Sequence, residues 1–235
     1  MTTASQHKVL VSLRNARRVA AYALQCGYEV EIDQTHEYPE HLGAVMADSI
    51  LQAGVNYRSV VHPRVVDILT NYPEANELKG VENIIASGLL PHFLKWQHSV
   101  KIDRFHSLAV FLGEHSVNTT SDLRMNLQKT EFRAKLLCVF GVGRKTIDYM
   151  ACLVGLDHIA VDRHIKAFAK SCEVHSNDYD ILQRSFGFAA DLMGAGRRHF
   201  DAWVWSYESQ NKEPRHTSSN VQLNFAASER RRKAK

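Results

Sequence analysis

The sequence predicts an all-α fold, because helical periodicity runs through most of the chain and strand signals are poor. Apolar residues recur three and four positions apart over residues 42–53, 105–112 and 200–207, as on one face of a helix. Only two short stretches, residues 28–32 and 159–161, suggest extended chain. The sequence is therefore expected to bury its apolar residues between helices.

Glycine and proline mark where these helices begin and end. Gly54 and Gly113 each follow a periodic segment and are expected to end it. Pro63 is expected to open a further helix, because proline fits the first turn. The polar segment 209–219 is expected to be a loop, and the basic segment 229–235 a frayed tail.

Composition excludes several classes of protein. The chain has 235 residues, of which 45% are hydrophobic and 23% charged, which is too apolar for a disordered protein. Its apolar runs are shorter than the roughly 18 residues that a membrane span requires, and its N-terminus lacks the pattern of a secretory signal. The net charge of +4 permits a polyanionic partner without requiring one.

The cysteines argue against a metal site. Cys26, Cys138, Cys152 and Cys172 form no C-x-x-C pair, so a zinc or iron–sulfur site built from local cysteine clusters is not expected. We interpret all four as buried, reduced thiols of a cytosolic protein.

One segment carries most of the functional information. Residues 132–137 favour a helix that ends before Gly141, and Gly141-Val142-Gly143 favours a tight hairpin. A second helix is expected from Arg144 to about Gly155. The first-turn amides of that helix are unpaired donors, so the hairpin can clamp a DNA phosphate without reading sequence. A helical hairpin that binds no nucleic acid remains the alternative.

The motifs GVGRKT and IAVDRHI resemble those of the helix-hairpin-helix (HhH-GPD) DNA glycosylase superfamily, which includes endonuclease III and 8-oxoguanine DNA glycosylase. The resemblance covers about residues 40–208 and implies a two-lobed helical fold. Lys145 matches the catalytic lysine of the lysine-bearing branches, and Asp162, seventeen residues later, matches the catalytic aspartate. Phe140 departs from the proline usual in this hairpin.

The resemblance also implies lobe boundaries. A helical barrel would span residues 38–157, with the hairpin element at about 131–155. A second lobe would combine residues 1–37 with 158–235. The four-cysteine cluster of endonuclease III is absent, so no cofactor and no iron–sulfur cluster are expected, with a monovalent cation at the hairpin as an open alternative.

The site implied by the resemblance consists of catalytic Lys145 and Asp162 and of residues that contact DNA. Lys145 would form a Schiff base with the sugar, and Asp162 would stabilise positive charge on it. Arg144 and Lys145 stand at the mouth of the hairpin. The expected DNA-binding residues are Gly141, Val142, Gly143, Arg144, Thr146, Gln52 and Asn56, with Gln52 or Asn56 inserted near the damaged pair.

Three functions remain open on the sequence. The first is a bifunctional glycosylase and AP lyase acting in base excision repair on duplex DNA with a modified base. The second is a monofunctional hydrolase in which Asp162 activates water, for repair or for defence against modified phage DNA. The third is a non-catalytic hairpin protein that binds DNA. We expect a monomer without a membrane partner, cytoplasmic and nucleoid-associated, or nuclear in a eukaryote.

Overall fold

The computed structural model describes residues 3–29 and 40–211, and these two ranges contain helices and no strand. In chain order the helices are α1 (Thr3–Gln25), α2 (Leu42–Leu51), α3 (His62–Asn71), α4 (Leu78–Ala86), α5 (Leu90–Phe93), α6 (Ser99–Glu114), α7 (Thr120–Leu127), α8 (Thr130–Leu136), α9 (Arg144–Leu153), α10 (Arg163–Ser171), α11 (Tyr179–Met193) and α12 (Arg197–Asn211). A π-helical turn (Tyr57–Val61) precedes α3, and a 3₁₀ turn (Pro73–Asn76) follows it. The all-α prediction is confirmed.

Several local predictions need correction. Gly113 lies inside α6, which continues to Glu114, because the helix end is set by the left-handed residue Ser116 two positions later. Residues 159–161 are not a strand: the backbone N–H of Ala160 bonds to the Asp201 carboxylate instead of to another strand. The predicted loop at 209–219 begins too early, since α12 runs to Asn211. Residues 30–39 and 212–235, which include the basic tail, lie outside the described ranges.

The buried apolar side chains form two clusters. The first is built from α2 to α9, and its largest fully buried members include Phe93 and Phe105. The second is built from α1, α10, α11 and α12, with Phe168, Phe186 and Phe200 at its centre. The lobe boundaries expected from the sequence resemblance stay a prediction.

A buried carboxylate joins elements from both clusters. Asp148 of α9 is 2% exposed and pairs with Arg133 of α8. Its Oδ2 accepts hydrogen bonds from Tyr179 Oη at 2.6 Å and from Gln183 Nε2 at 2.8 Å, both on α11. These contacts fix α9, which carries Lys145, against the second cluster.

The helices and the cysteines bear on two expectations from composition. Among the described residues, no helix is both long and apolar enough to cross a bilayer. Cys152 and Cys172 are buried free thiols, but Cys138 is exposed and Cys26 only partly buried, so the expectation that all four are buried is wrong. Cys138 lies just after α8, beyond the face that packs into the first cluster.

Candidate active site

The hairpin between α8 and α9 brings unpaired backbone donors to the surface. Gly141 has φ +75°, the left-handed region that glycine tolerates best. A methyl group there would stand 2.2 Å from Arg104 Nε, so an alanine would force the Arg104 side chain to move. Gly143 caps α9 with no side-chain hydrogen bond, and the space where its side chain would stand is open. The N–H groups of the first turn of α9 are therefore accessible to an anion.

The other predicted hairpin residues differ in accessibility. Val142 is buried, whereas Thr146 is partly exposed. Arg144 pairs with Asp180 of α11, and its guanidinium carbon lies 4.3 Å from the centre of the Tyr179 ring. The Arg144 side chain is therefore held by an ion pair and a ring contact to α11. Arg104, which the sequence did not suggest, lies against the hairpin, with its guanidinium carbon 5.6 Å from the centre of the Phe140 ring.

Lys145 is the second residue of α9, and its side chain points between the two clusters. Its Nζ donates a hydrogen bond to Gln52 Oε1 and lies 4.5 Å from the centre of the Tyr149 ring. Burial lowers the pKa of Lys145, although nearby carboxyl groups, with Asp162 the strongest and Asp201 next, oppose the shift. The lysine therefore releases its proton more readily than a lysine in water.

Asp162 stands at the start of α10 and has two roles in the structure. Its Oδ1 accepts hydrogen bonds from the backbone N–H groups of His164 (2.7 Å) and Ile165 (3.0 Å), so it is the N-cap. Its Oδ2 lies 2.8 Å from His164 Nδ1. Burial would raise the pKa of Asp162, but these hydrogen bonds outweigh it and hold the pKa below its ordinary value. Asp162 is therefore a carboxylate at neutral pH.

Two further carboxyl groups lie close enough to act on Lys145. Asp201 of α12 accepts a hydrogen bond from Ala160 N at 3.2 Å, and burial together with the charge of Asp162 raises its pKa to about 8. Asp48 of α2 is buried, and burial raises its pKa to about 6. The Asp48 oxygens accept from Tyr57 Oη at 3.0 Å and Tyr149 Oη at 3.1 Å. At neutral pH Asp162 is therefore ionised, Asp48 is mostly ionised and Asp201 is mostly protonated.

Aromatic rings surround these charged groups. Trp205 of α12 contacts Tyr57 edge to face, with ring centres 5.8 Å apart, and His164 in the same way at 5.9 Å. The guanidinium carbon of Arg58 lies 5.5 Å from the centre of the Trp205 ring. Since Tyr57 belongs to the first cluster and Trp205 to α12, the aromatic group lies where the two clusters meet.

The two residues expected to insert into DNA have other contacts. Gln52 accepts from Lys145, as described above. Asn56 caps the π-helical turn, its Oδ1 accepting from Ser59 N at 3.0 Å. The structure brings Gln52 together with Lys145, and it places Asn56 on the exposed surface. Their predicted role in inserting into DNA stays a prediction.

Sequence reasoning missed Asp48, Asp201, Tyr57 and Trp205. Two signals were present. Asp48 is the one acidic residue in a helix whose ten residues are all buried, and Gln52 lies four positions later, on the same face. Asp201 and Trp205 are likewise four positions apart on α12. Tyr57 carried no comparable signal, because the π-helical turn that orients it was not predicted.

The described residues contain no group of three or more histidine, cysteine or acidic side chains arranged to hold a metal ion.

Comparison with solved structures shows the fold. The chain is similar to the crystal structure of H. pylori 3-methyladenine DNA glycosylase (MagIII) bound to 1,N6-ethenoadenine, with a TM-score of 0.54 and 16% sequence identity. The similarity covers 86% of this chain and 99% of that one. No protein-family model and no curated protein sequence matches. The chain thus has the all-helical, two-lobed fold of that solved structure.

Proposed function

We propose that the chain is a DNA glycosylase that excises a modified base from duplex DNA and then nicks the strand through Lys145. The observation that carries the proposal is a half-buried lysine of lowered pKa at the start of α9, which faces the ionised Asp162 of α10. The similarity to a 3-methyladenine DNA glycosylase supports base excision as the reaction class. The proposal of strand nicking is supported by Lys145 alone.

Excision requires that the target base leave the DNA stack, because its glycosidic bond is inaccessible within a duplex. The hairpin amides before Lys145 would hold a backbone phosphate near the target nucleotide. The flipped base would then lie against the aromatic pair of Tyr57 and Trp205, where ring contact offsets the unstacking cost of a few kcal/mol. Arg58, which now lies over Trp205, would move aside or contact the incoming nucleotide.

The chemical steps follow from the two catalytic groups. As the base departs with the electron pair of the glycosidic bond, positive charge builds on the sugar, and the Asp162 carboxylate stabilises it. The neutral Lys145 amine forms a bond to C1′, and opening of the sugar ring gives a Schiff base. Loss of a C2′ proton then expels the 3′ phosphate, which nicks the strand. Water finally releases Lys145.

Borohydride trapping tests this proposal. A panel of duplexes, each with one oxidised, alkylated or deaminated base, is incubated with the protein and borohydride, which reduces a Schiff base to a stable adduct. We expect a covalent adduct with at least one duplex and none with Lys145→Ala. Lys135→Ala on the exposed side of α8 is the matched control and should trap like the wild type. Trapping by Lys145→Ala would remove Lys145 from the proposed chemistry.

A monofunctional glycosylase is the second candidate. It is favoured by the ionised state of Asp162, which can stabilise the sugar cation or orient water without help from a lysine. The same panel separates the two, because a monofunctional enzyme leaves abasic sites without adducts or nicks. The panel should include alkylated purines, since the structural neighbour is named for 3-methyladenine and was crystallised with 1,N6-ethenoadenine.

A further inference from the structure

We propose that Gln52 is a positioning residue that orients the Lys145 amine for attack, and that Lys101 fixes Gln52 in place. This inference rests on the proposed lyase step. It differs from the insertion of Gln52 into DNA that the sequence resemblance implies. The contacts that carry it join three elements of the first cluster: α2, α6 and α9.

The first contact is between Gln52 and Lys145. The side-chain oxygen of Gln52 accepts a hydrogen bond from Lys145 Nζ, and its Nε2 lies 3.5 Å from Ser49 O. A neutral amine has two N–H groups and one lone pair. With one N–H held by Gln52 and the Tyr149 ring 4.5 Å from Nζ, the directions left for the lone pair are restricted. Gln52 therefore limits how Lys145 presents its lone pair.

The second contact fixes the backbone on both sides of Gln52. Gln52 follows directly after α2, where the last carbonyl groups of a helix lack partners within the helix. The Nζ of Lys101, on α6, donates hydrogen bonds to Leu51 O and, at 2.9 Å, to Ala53 O. One ammonium group thus holds the residues immediately before and after Gln52, and it limits movement of Gln52 toward the DNA.

Lys101 is well placed for this role because it is itself shielded from water. It is 9% exposed, and its Nζ lies 4.5 Å from the centre of the Trp96 ring. Arg64 packs on the same ring, with its guanidinium carbon 5.4 Å from the centre. Hydrogen bonds from a shielded ammonium to carbonyl oxygens are stronger than those of a solvated lysine. The position of Gln52 is therefore set by buried contacts.

Opposite changes at Gln52 test the contact with Lys145 in the absence of DNA. Trace acetylation of the whole protein over a pH series, read by mass spectrometry, gives the pH at which Lys145 becomes reactive. Gln52→Glu adds a carboxylate that stabilises the ammonium form, so the midpoint should rise by about one pH unit. Gln52→Leu removes the acceptor, so the midpoint should fall. The exposed Lys79 is the internal reference. Unchanged midpoints in both variants would overturn the proposal.

Trapping on a preformed abasic site then separates positioning from insertion. If Gln52 positions Lys145, Gln52→Leu should slow trapping about tenfold on paired and on single-stranded DNA alike. If Gln52 inserts into the duplex, the loss is confined to paired DNA, and the proposal is wrong. Gln128→Leu, at an exposed position after α7, is the matched control and should trap at the wild-type rate. Failure of the wild type to trap would contradict the proposed lyase step, while the acetylation result would still decide the Lys145 contact.

Lys101→Met tests the remaining step. If Lys101 acts through Gln52, its loss should slow trapping on both DNA forms, and the double variant with Gln52→Leu should be no slower than Gln52→Leu alone. A purely structural role predicts that the melting temperature falls and that the two losses in rate multiply, which would overturn the assignment of Lys101.

Discussion

Asp162 combines a structural contact with the proposed chemistry. The same carboxylate caps α10 and faces Lys145, so removal of the whole side chain would mix two effects. An alanine variant would lose the cap, at a cost of about 1 kcal/mol, as well as the charge. An asparagine variant keeps an oxygen for the cap and removes only the charge.

We therefore expect Asp162→Asn to melt close to the wild type and to bind duplex DNA within about threefold. Its excision rate should fall by about a thousandfold or more, because no carboxylate remains to stabilise the sugar cation. Single-turnover release of the base, with anisotropy for binding, measures both. Wild-type excision by this variant would exclude Asp162 from the reaction. A wild-type protein that binds DNA but excises nothing from the panel would be a binding module.

Asp201 gives a prediction about stability and pH. Its pKa is about 8 in the folded protein, raised from the ordinary value of 3.8. Between these two pH values the unfolded chain releases the proton and the folded chain keeps it, so wild-type stability is lost as pH rises through this window. Asp201→Asn has no proton to release. Its melting temperature should match the wild type near pH 4 and exceed it by about 10 °C or more at pH 8.

Scanning calorimetry at the two pH values measures this difference. The control is Asp103→Asn, at an exposed position on α6, which should follow the wild type at both values. An equal effect of Asp201→Asn at pH 4 and pH 8 would mean that Asp201 is ionised in the folded protein.

At the level of residues, the sequence could suggest candidate site residues only where a motif was linear. Lys145, Asp162 and the two hairpin glycines belong to one continuous segment, and the structure places them around α9 and α10. Asp48 and Asp201 come from helices more than 150 residues apart, so no local pattern joins them. Their importance follows from burial beside Lys145, which only packing of the two clusters creates.

The two glycines of the hairpin have different tasks, which paired variants separate. Gly141→Ala should lower the melting temperature by a few degrees, because its left-handed backbone costs alanine about 1–2 kcal/mol and Arg104 must move. Gly143 has φ −106°, and the space where a Cβ would stand is open, so the melting temperature of Gly143→Ala should not change. Its added methyl group should instead weaken DNA binding about tenfold, measured by anisotropy at fixed salt. Unchanged affinity of Gly143→Ala would argue against phosphate contact there.

The helices themselves were predicted well, and their ends less well. The hairpin helices α8 and α9, with the left-handed Gly155 just after α9, follow the sequence pattern because glycine marks their limits. The prediction that Gly113 ends its helix was wrong because glycine is tolerated within a helix that packs well, as α6 does. Residues 159–161 have the composition of a strand, but they have no neighbouring strand to pair with in the described ranges.

For the molecule as a whole, stability should depend strongly on the contacts of the buried Asp148. Arg133→Met leaves the buried carboxylate without its cationic partner and should cost about 3 kcal/mol, a fall in melting temperature of about 10 °C. The double variant Arg133→Met with Asp148→Asn removes the charge too and should recover part of this loss. Thermal unfolding followed by circular dichroism tests both, with Lys135→Ala on the same helix as the control. A wild-type melting temperature for Arg133→Met would show that the remaining contacts of Asp148, with Tyr179, Gln183 and His158, suffice.

The two-lobed fold was predicted through a resemblance that rests on residues 136–170. It was not predicted through helical periodicity, which cannot specify how helices pack. Periodicity indicated that the chain is helical. The long-range pairing of α1 with α11 leaves no trace in either helix alone, since each shows only an apolar face. Their pairing buries the apolar faces of both helices in the second cluster.

This pairing has a consequence for synthesis on the ribosome. The first cluster lies within residues 42–154, so it can form while the rest of the chain is still being made. Helix α1 is made first, but it must wait for α11, about 170 residues later, before it can bury its apolar face. Asp162, Asp201 and Trp205 are also synthesised after Lys145. A nascent chain that already contains Lys145 therefore does not yet have an assembled candidate site. On the proposed chemistry, Lys145 would therefore lack Asp162 and Asp201 until α10 and α12 have been made.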